Sequence, residues 1–212
     1  MCTSPRSAHE GSWHGKPPGR DQVLPPKLRR RLVARPRLSG RLSRGAESRL
    51  TLISAPAGFG KTTVLAEWLA ATRTERSVAW LSLEESDRQP ASDWSYLIPA
   101  VQAVVPGVGC SALLLLQSAQ PPIEAVLTMV LNELGRVPND VWLVLDDYHL
   151  VDGPGVQAGM TFLLEHLPPQ AHLVVSTRAD PVLPLARLRA RRAGRYEVAV
   201  GSCDGRDPLL GA

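Results

Sequence analysis

Cysteine is scarce and poorly placed for chemistry. Cys2, Cys110 and Cys203 are odd in number and far apart, which excludes a disulfide framework and the close spacing of a metal knuckle. The five histidines fall at no ligand spacing either, and His149 and His172 read as residues beside strand ends rather than metal ligands. No apolar stretch approaches the roughly 20 residues that cross a bilayer; the runs are short pieces such as Leu113–Leu116. Residues 1–20 hold Pro, Gly, Ser and charge but no hydrophobic segment of the secretory-signal kind. A cytoplasmic protein without a membrane partner is expected. Aromatic residues make up only 5% of the chain, and none lies between Lys27 and Arg49, so the basic arm there offers no stacking platform for bases.

That arm is nevertheless strongly charged. Residues 1–49 carry twelve Lys or Arg against three acids, a net +9, whereas residues 50–212 carry a net −5. A solvated or phosphate-facing segment fits this pattern, with nucleic acid or an acidic surface as the other candidate. Low hydrophobicity and Pro5, Pro17 and Pro18 make residues 1–24 a disordered basic segment. The remaining length, within a chain that is 44% hydrophobic, suffices for one full core.

The most informative segment is Ala55-Pro56-Ala57-Gly58-Phe59-Gly60-Lys61-Thr62, followed by Thr63. It links the apolar run Leu50–Ser54 to the helical pattern Val64–Leu69. A loop that enters a helix presents unpaired N–H groups and a positive dipole end, and Gly58 and Gly60 let the backbone curl around an anion. Lys61 would reach the β- and γ-phosphates of a nucleotide, and the Thr62 hydroxyl would ligate magnesium. Ala55 stands where the usual G-x-x-x-x-G-K-[ST] pattern has its first glycine. It precedes Pro56, so extended backbone suits it and no positive φ is needed.

Two further apolar runs deliver polar residues to their C-terminal ends, where ligands bind in open α/β sheets. Val141–Leu145 leads into Asp146-Asp147, and Ala171–Ser176 into Thr177-Arg178. Asp146 reads as the magnesium-side acid. Asp147, facing the other way if strand alternation continues, reads as the residue that orients the attacking water, the alternative being a helix cap. Arg178 reads as a cation for the terminal phosphate, the alternative being a surface pair with Asp180.

The coarse order is strand 50–54, helix 61–72, strand 78–83, helices 93–105 and 122–134, strand 141–145, helix 155–166 and strand 172–176. This alternation predicts an α/β P-loop NTPase: a parallel sheet flanked by helices, with an extra strand between the phosphate-loop and Asp-Asp strands. Leu28, Leu32, Leu38 and Leu42 suggest a short helix broken at Pro36, with Arg35–Leu38 as a turn.

The strings PKLRRRLVARPRLSGRL, RLTLISAPAGFGKTTVLAEWL, VAWLSLEESD, VWLVLDDYHLVD and HLPPQAHLVVSTRADPVLPLARLRAR, in that order, closely resemble the ATPase domain of the large ATP-binding LuxR-type activators, the MalT-like regulators. The resemblance covers about residues 25–191. It implies a signal-transducing P-loop ATPase, related to apoptotic and plant-resistance switches, that holds ATP or ADP with Mg2+ and self-associates through the ATPase domain when activated. It implies that Lys61 and Thr62 are the phosphate-loop lysine and magnesium ligand, Asp146 and Asp147 the acidic pair, and Arg178 the phosphate-sensing arginine. Arg35–Leu38 matches the family's nucleotide-flanking motif loosely, and Ala55 is usual in the family. An ATPase domain at 25–192 and a divergent tail at 193–212 follow.

Such regulators continue into a helical domain, a winged helix, a repeat sensor and a DNA-reading helix-turn-helix, none of which is found in this sequence. The expected product is therefore truncated or frame-shifted: an ATP-binding module with at most slow hydrolysis and no specific DNA binding of its own. The alternatives are a free-standing P-loop ATPase or small-molecule kinase, and a transcription factor in its own right. For a kinase, Arg187, Arg189, Arg191 and Arg192 would be the candidate lid.

Overall fold

Runs such as Val141–Leu145 are rich in β-branched and bulky apolar residues with no polar alternate position, and such a run is stable only when both faces are covered. In a computed structural model, which describes residues 22–26, 36–45, 48–71, 77–85, 90–116, 122–184 and 196–200, these runs form the centre of a parallel sheet. The elements are α1 (Pro36–Gly45), β1 (Leu50–Ser54), α2 (Lys61–Ala71), β2 (Ser77–Ser82), α3 (Pro90–Gln102), α4 (Cys110–Leu116), α5 (Ile123–Leu134), β3 (Val141–Asp146), α6 (Pro154–His166), β4 (Ala171–Thr177) and β5 (Tyr196–Val200). The strand order is β2-β3-β4-β1-β5, with every pairing parallel.

Alternate residues of β1 to β4 feed two cores. Leu50, Leu52, Leu81, Leu143, Leu145, Leu173 and Val175 face the layer of α3 to α6. Ile53, Trp80, Trp142, Val144 and Val174 face Leu42 of α1 and Val64, Leu65, Trp68 and Leu69 of α2. On this second face the Trp142 ring sits 4.9 Å from Trp68 and stacks at 5.2 Å on His172. The helices match in period. On α6, Val156, Gly159, Met160, Leu163 and Leu164 are buried, a spacing that forms one stripe along a helix.

Several expectations are amended. The sequence places β2 between the phosphate-loop and Asp-Asp strands, and in chain order it is; in space β4 separates them, while β2 lies outside β3. Helix α1 runs from Pro36, a position where a first helical residue needs no N–H donor; Leu28, Leu32 and Arg35 lie outside the described residues, so the expected break at Pro36 falls at their edge. The segment 1–24 is expected to be disordered, yet Gln22 accepts a hydrogen bond from the Ser82 N–H at 2.8 Å and Val23 packs on the larger core. Helix α4 has no counterpart in the sequence reading, since its Leu113–Leu116 run shows no helical period. Residues 196–200, read as divergent tail, extend the sheet beyond β1 in register Leu50 with Tyr196 through Ser54 with Val200. Residues 1–21, 185–195 and 201–212, including the four candidate lid arginines, lie outside the described residues.

Gly159 allows α6 to approach α3: a Cβ there would lie 2.4 Å from Trp94 Cζ2 and 2.8 Å from Cε2. In an exposed helix a Gly-to-Ala change gains up to about 1 kcal/mol, but overpacking against a rigid indole costs about 1–3 kcal/mol. Gly159→Ala is therefore expected to destabilise the fold, read as a lower urea midpoint at unchanged m-value; a raised midpoint would contradict this packing.

Candidate phosphate-binding site

Strand β1 ends at Ser54 and α2 begins at Lys61, so six residues make the connection. Gly58 and Gly60 have φ of +80° and +74°, a region in which a side chain is strained by roughly 1–2 kcal/mol. The Val64 N–H donates to Gly60 O at 2.9 Å. The N–H groups of the first turn ahead of it fall outside the helix ladder, at the positive end of the dipole. Lys61 is buried, and its Nζ donates to Ala55 O at 2.8 Å and Pro56 O at 3.3 Å. Its charge is thus held by two loop carbonyls, while Pro56, Ala57 and Gly58 are exposed. The Ala55 N–H in turn donates to Thr177 O at 3.2 Å, which ties the loop to the end of β4.

Asp146 is the last residue of β3 and only 2% exposed. It accepts hydrogen bonds from Ser176 Oγ at 2.5 Å and from the Asp147 N–H at 3.1 Å. Burial pushes its carboxyl above the ordinary value, and hydrogen bonds from Ser176 and the Thr62 side chain oppose that shift. Thr62 and Asp146, far apart in sequence, therefore meet at one point.

Asp147 lies beyond the strand. Its φ of +56° makes it the one non-glycine residue in the left-handed region among the described residues, so its direction comes from a turn and not from strand alternation. It stands at the N-cap position of a 3-10 turn, Tyr148–Leu150, but its side chain makes no capping hydrogen bond there. Instead its Oδ1 lies 3.9 Å from Arg178 Nε and 3.8 Å from His149 Nδ1. Arg178 follows β4 and is half exposed; its recorded ionic partner is Asp147, not Asp180. Burial lowers the His149 pKa; Asp147 opposes this, while Arg178 and Lys61 reinforce it.

The structure thus gathers Lys61, Thr62, Asp146, Asp147 and Arg178 at the C-terminal ends of β1, β3 and β4. Two participants escaped the sequence reading, Ser176 and His149. Ser176 had a signal, since β3 and β4 run in register from Val141 with Ala171 to Leu145 with Val175, which sets the next pair, Asp146 and Ser176, side by side. Among the described residues no group of three or more His, Cys, Asp or Glu is arranged for a metal.

The HTH-type transcriptional regulator MalT of Cronobacter sakazakii is 39% identical over 175 residues, which are 80% of this chain and 19% of that protein. The Yersinia pestis regulator of the same name is 37% identical with the same coverage. The chain is MalT-like over one P-loop domain. It spans about a fifth of the length of those relatives. No family model matches. Among solved structures, a Walker-type ATPase of Pyrococcus abyssi superposes with a TM-score of 0.56 over 84% of this chain and 55% of that one, at 14% identity, and so shares the fold. Among the described residues of this MalT-like domain, no helix is long and apolar enough to cross a membrane.

Burial raises the Asp146 pKa, so the ionised acid costs the fold stability. The folded chain keeps this proton to higher pH than the unfolded chain, so the nucleotide-free fold loses stability as pH rises from the ordinary carboxylate value through the raised one. Asp146→Asn, which keeps an acceptor for Ser176, is expected to raise nucleotide-free stability at neutral pH and to flatten this dependence. Urea melts of both proteins at mildly acidic and neutral pH test it; a variant less stable than wild type at neutral pH would contradict it.

Proposed function

We propose that this domain binds adenine nucleotide with Mg2+ at the loop between β1 and α2 and serves as the nucleotide-responsive part of a MalT-like transcriptional regulator. The observation that carries the reading is the convergence of buried Lys61, the Thr62–Asp146 pair and two positive-φ glycines on one loop. Ala55 to Thr63 would enclose the phosphates with backbone N–H groups, and Lys61 would exchange its carbonyl partners for phosphate oxygens, a charge-assisted bond of the stronger kind.

The donor set fits magnesium. A buried carboxylate beside a hydroxyl, with its charge disfavoured by burial, is stabilised by a divalent cation, and magnesium characteristically completes its shell with phosphate and water. Thr62 and Asp146 would hold it, and when bound it would neutralise charge on the phosphates. Asp147 would orient water and Arg178 would contact the terminal phosphate. Turnover would be slow at most, since the exposed residues Pro56–Gly58 leave the loop open to solvent.

Self-association through this domain is part of the proposal, and specific DNA contact is assigned to none of these residues. Nothing in the described residues favours the kinase reading, whose arginine lid lies outside them.

Calorimetry on the chain tests the assignment. Lys61→Ala is expected to weaken ATP and ADP binding by about tenfold or more, and Thr62→Ala and Asp146→Asn to weaken the magnesium-dependent part. Asp147→Asn should spare binding and lower only turnover. Mg-ATP at about a hundred times its Kd should add about 2.7 kcal/mol to the stability of the fold. Wild-type affinity in Lys61→Ala would overturn the reading.

A further inference from the structure

Among the described residues, His149 is the one ionisable side chain at this site for which the nucleotide reading has no use. It stands three residues after Asp146, in the 3-10 turn that follows the acidic pair. Both ring nitrogens are shielded from solvent and neither makes a hydrogen bond. A buried polar ring without a partner is unusual in a folded chain and calls for an explanation in terms of another state or another group. The explanation lies within reach, because Asp147 Oδ1 is only 3.8 Å from Nδ1.

That same oxygen is the atom that Arg178 Nε approaches, at 3.9 Å. The carboxylate of Asp147 therefore stands between two candidate donors, a guanidinium on one element and an imidazole on another. A cation drawn to the γ-phosphate moves away from Asp147, and the carboxylate, about a third exposed, then keeps water on its open side but lacks a partner on the side of the shielded ring. Resting on the nucleotide site proposed above, we propose that His149 is a positioning residue: as Arg178 turns to the terminal phosphate of ATP, the His149 Nδ1–H takes the Asp147 oxygen that Arg178 leaves, and holds that acid in the orientation it needs toward water. With ADP there is no γ-phosphate for Arg178 to reach, so Arg178 stays on Asp147 and His149 stays unpaired. The same acid thus has a different partner with each nucleotide, which gives ATP and ADP states the differential contacts that a switch requires.

Two features of the ring suit this task. A neutral imidazole supplies one N–H and leaves the charge of the acid in place, and burial, with Arg178 and Lys61, favours the neutral form against the opposing pull of Asp147 and Asp146. The gap from 3.8 Å to a hydrogen bond is about 1 Å, within the reach of a small side-chain rotation and without movement of the strand. A protonation event is not required.

The experiment measures affinity for ADP and for a non-hydrolysable ATP analogue, each with magnesium, by calorimetry on the full chain as wild type, His149→Leu and His149→Gln, with Lys61→Ala as the control for the site. His149→Leu is expected to weaken the ATP analogue about fivefold or more while ADP affinity stays within about twofold, since only the ATP state uses the donor. His149→Gln, which keeps an N–H, is expected to restore most of the loss. Equal weakening of both nucleotides by His149→Leu, or no rescue by His149→Gln, would overturn the role and leave His149 as a packing residue. If His149→Leu does not fold, His149→Phe, closer to imidazole in shape, carries the same comparison. Should Lys61→Ala bind both nucleotides like wild type, the nucleotide site itself fails, a result distinct from failure of the His149 role alone.

Discussion

A buried carboxylate at the end of a central strand is the constraint from which the rest of the site takes its form. Asp146 is almost wholly buried, and the cost of ionising it there is offset by oriented partners. Ser176 comes from the neighbouring strand and Thr62 from the helix after the phosphate loop. Each of these partners fixes a different element. The side chains that hold one charge therefore also hold β3, β4 and α2 at a common point, and the loop closes over that point through Lys61 and the Ala55 N–H.

The two-sided sheet makes this possible. Residues of β3 alternate between the core built by α3 to α6 and the core built by α1 and α2, so the strand has no freedom to slide and its C-terminal residue is delivered to a fixed place. The sequence discloses this much, because Val141–Leu145 has no polar position and can only be buried on both faces. It also discloses the cradle, since Gly58, Gly60 and Lys61 are local features whose geometry depends on neighbours along the chain. What it could not disclose depends on partners far away. Strand order is decided by packing between elements, so the interposition of β4 between the two motif strands was legible only as a separation, not as the strand that causes it. Asp147 was expected to follow strand alternation, but a left-handed backbone angle at one residue redirects it, and nothing local announces that angle for an aspartate followed by Tyr148.

Docking of residues 22–24 shows the same limit from the other side. They read as part of a solvated arm that spans residues 1–24, yet the Gln22 carbonyl meets an N–H that the edge strand β2 leaves without a sheet partner. Edge strands commonly have their open side covered in this way. The backbone of Gln22 and the side chain of Val23 order this piece on a sheet edge that offers a free N–H and an apolar surface.

One consequence follows from the end of β4. Ser176, Thr177 and Arg178 are consecutive, and each serves a different neighbour: Ser176 the Asp146 carboxylate, the Thr177 carbonyl the phosphate loop, and Arg178 the Asp147 carboxylate. Three neighbours are thus read off three adjacent positions of one rod, and in a strand a shift of one residue turns every side chain to the opposite face. The site therefore works as a gauge of strand length. Apolar residues within β4 can be exchanged for others of similar volume with modest effect, whereas the loss or gain of a single residue anywhere between Ala171 and Thr177 would misdirect all three contacts together.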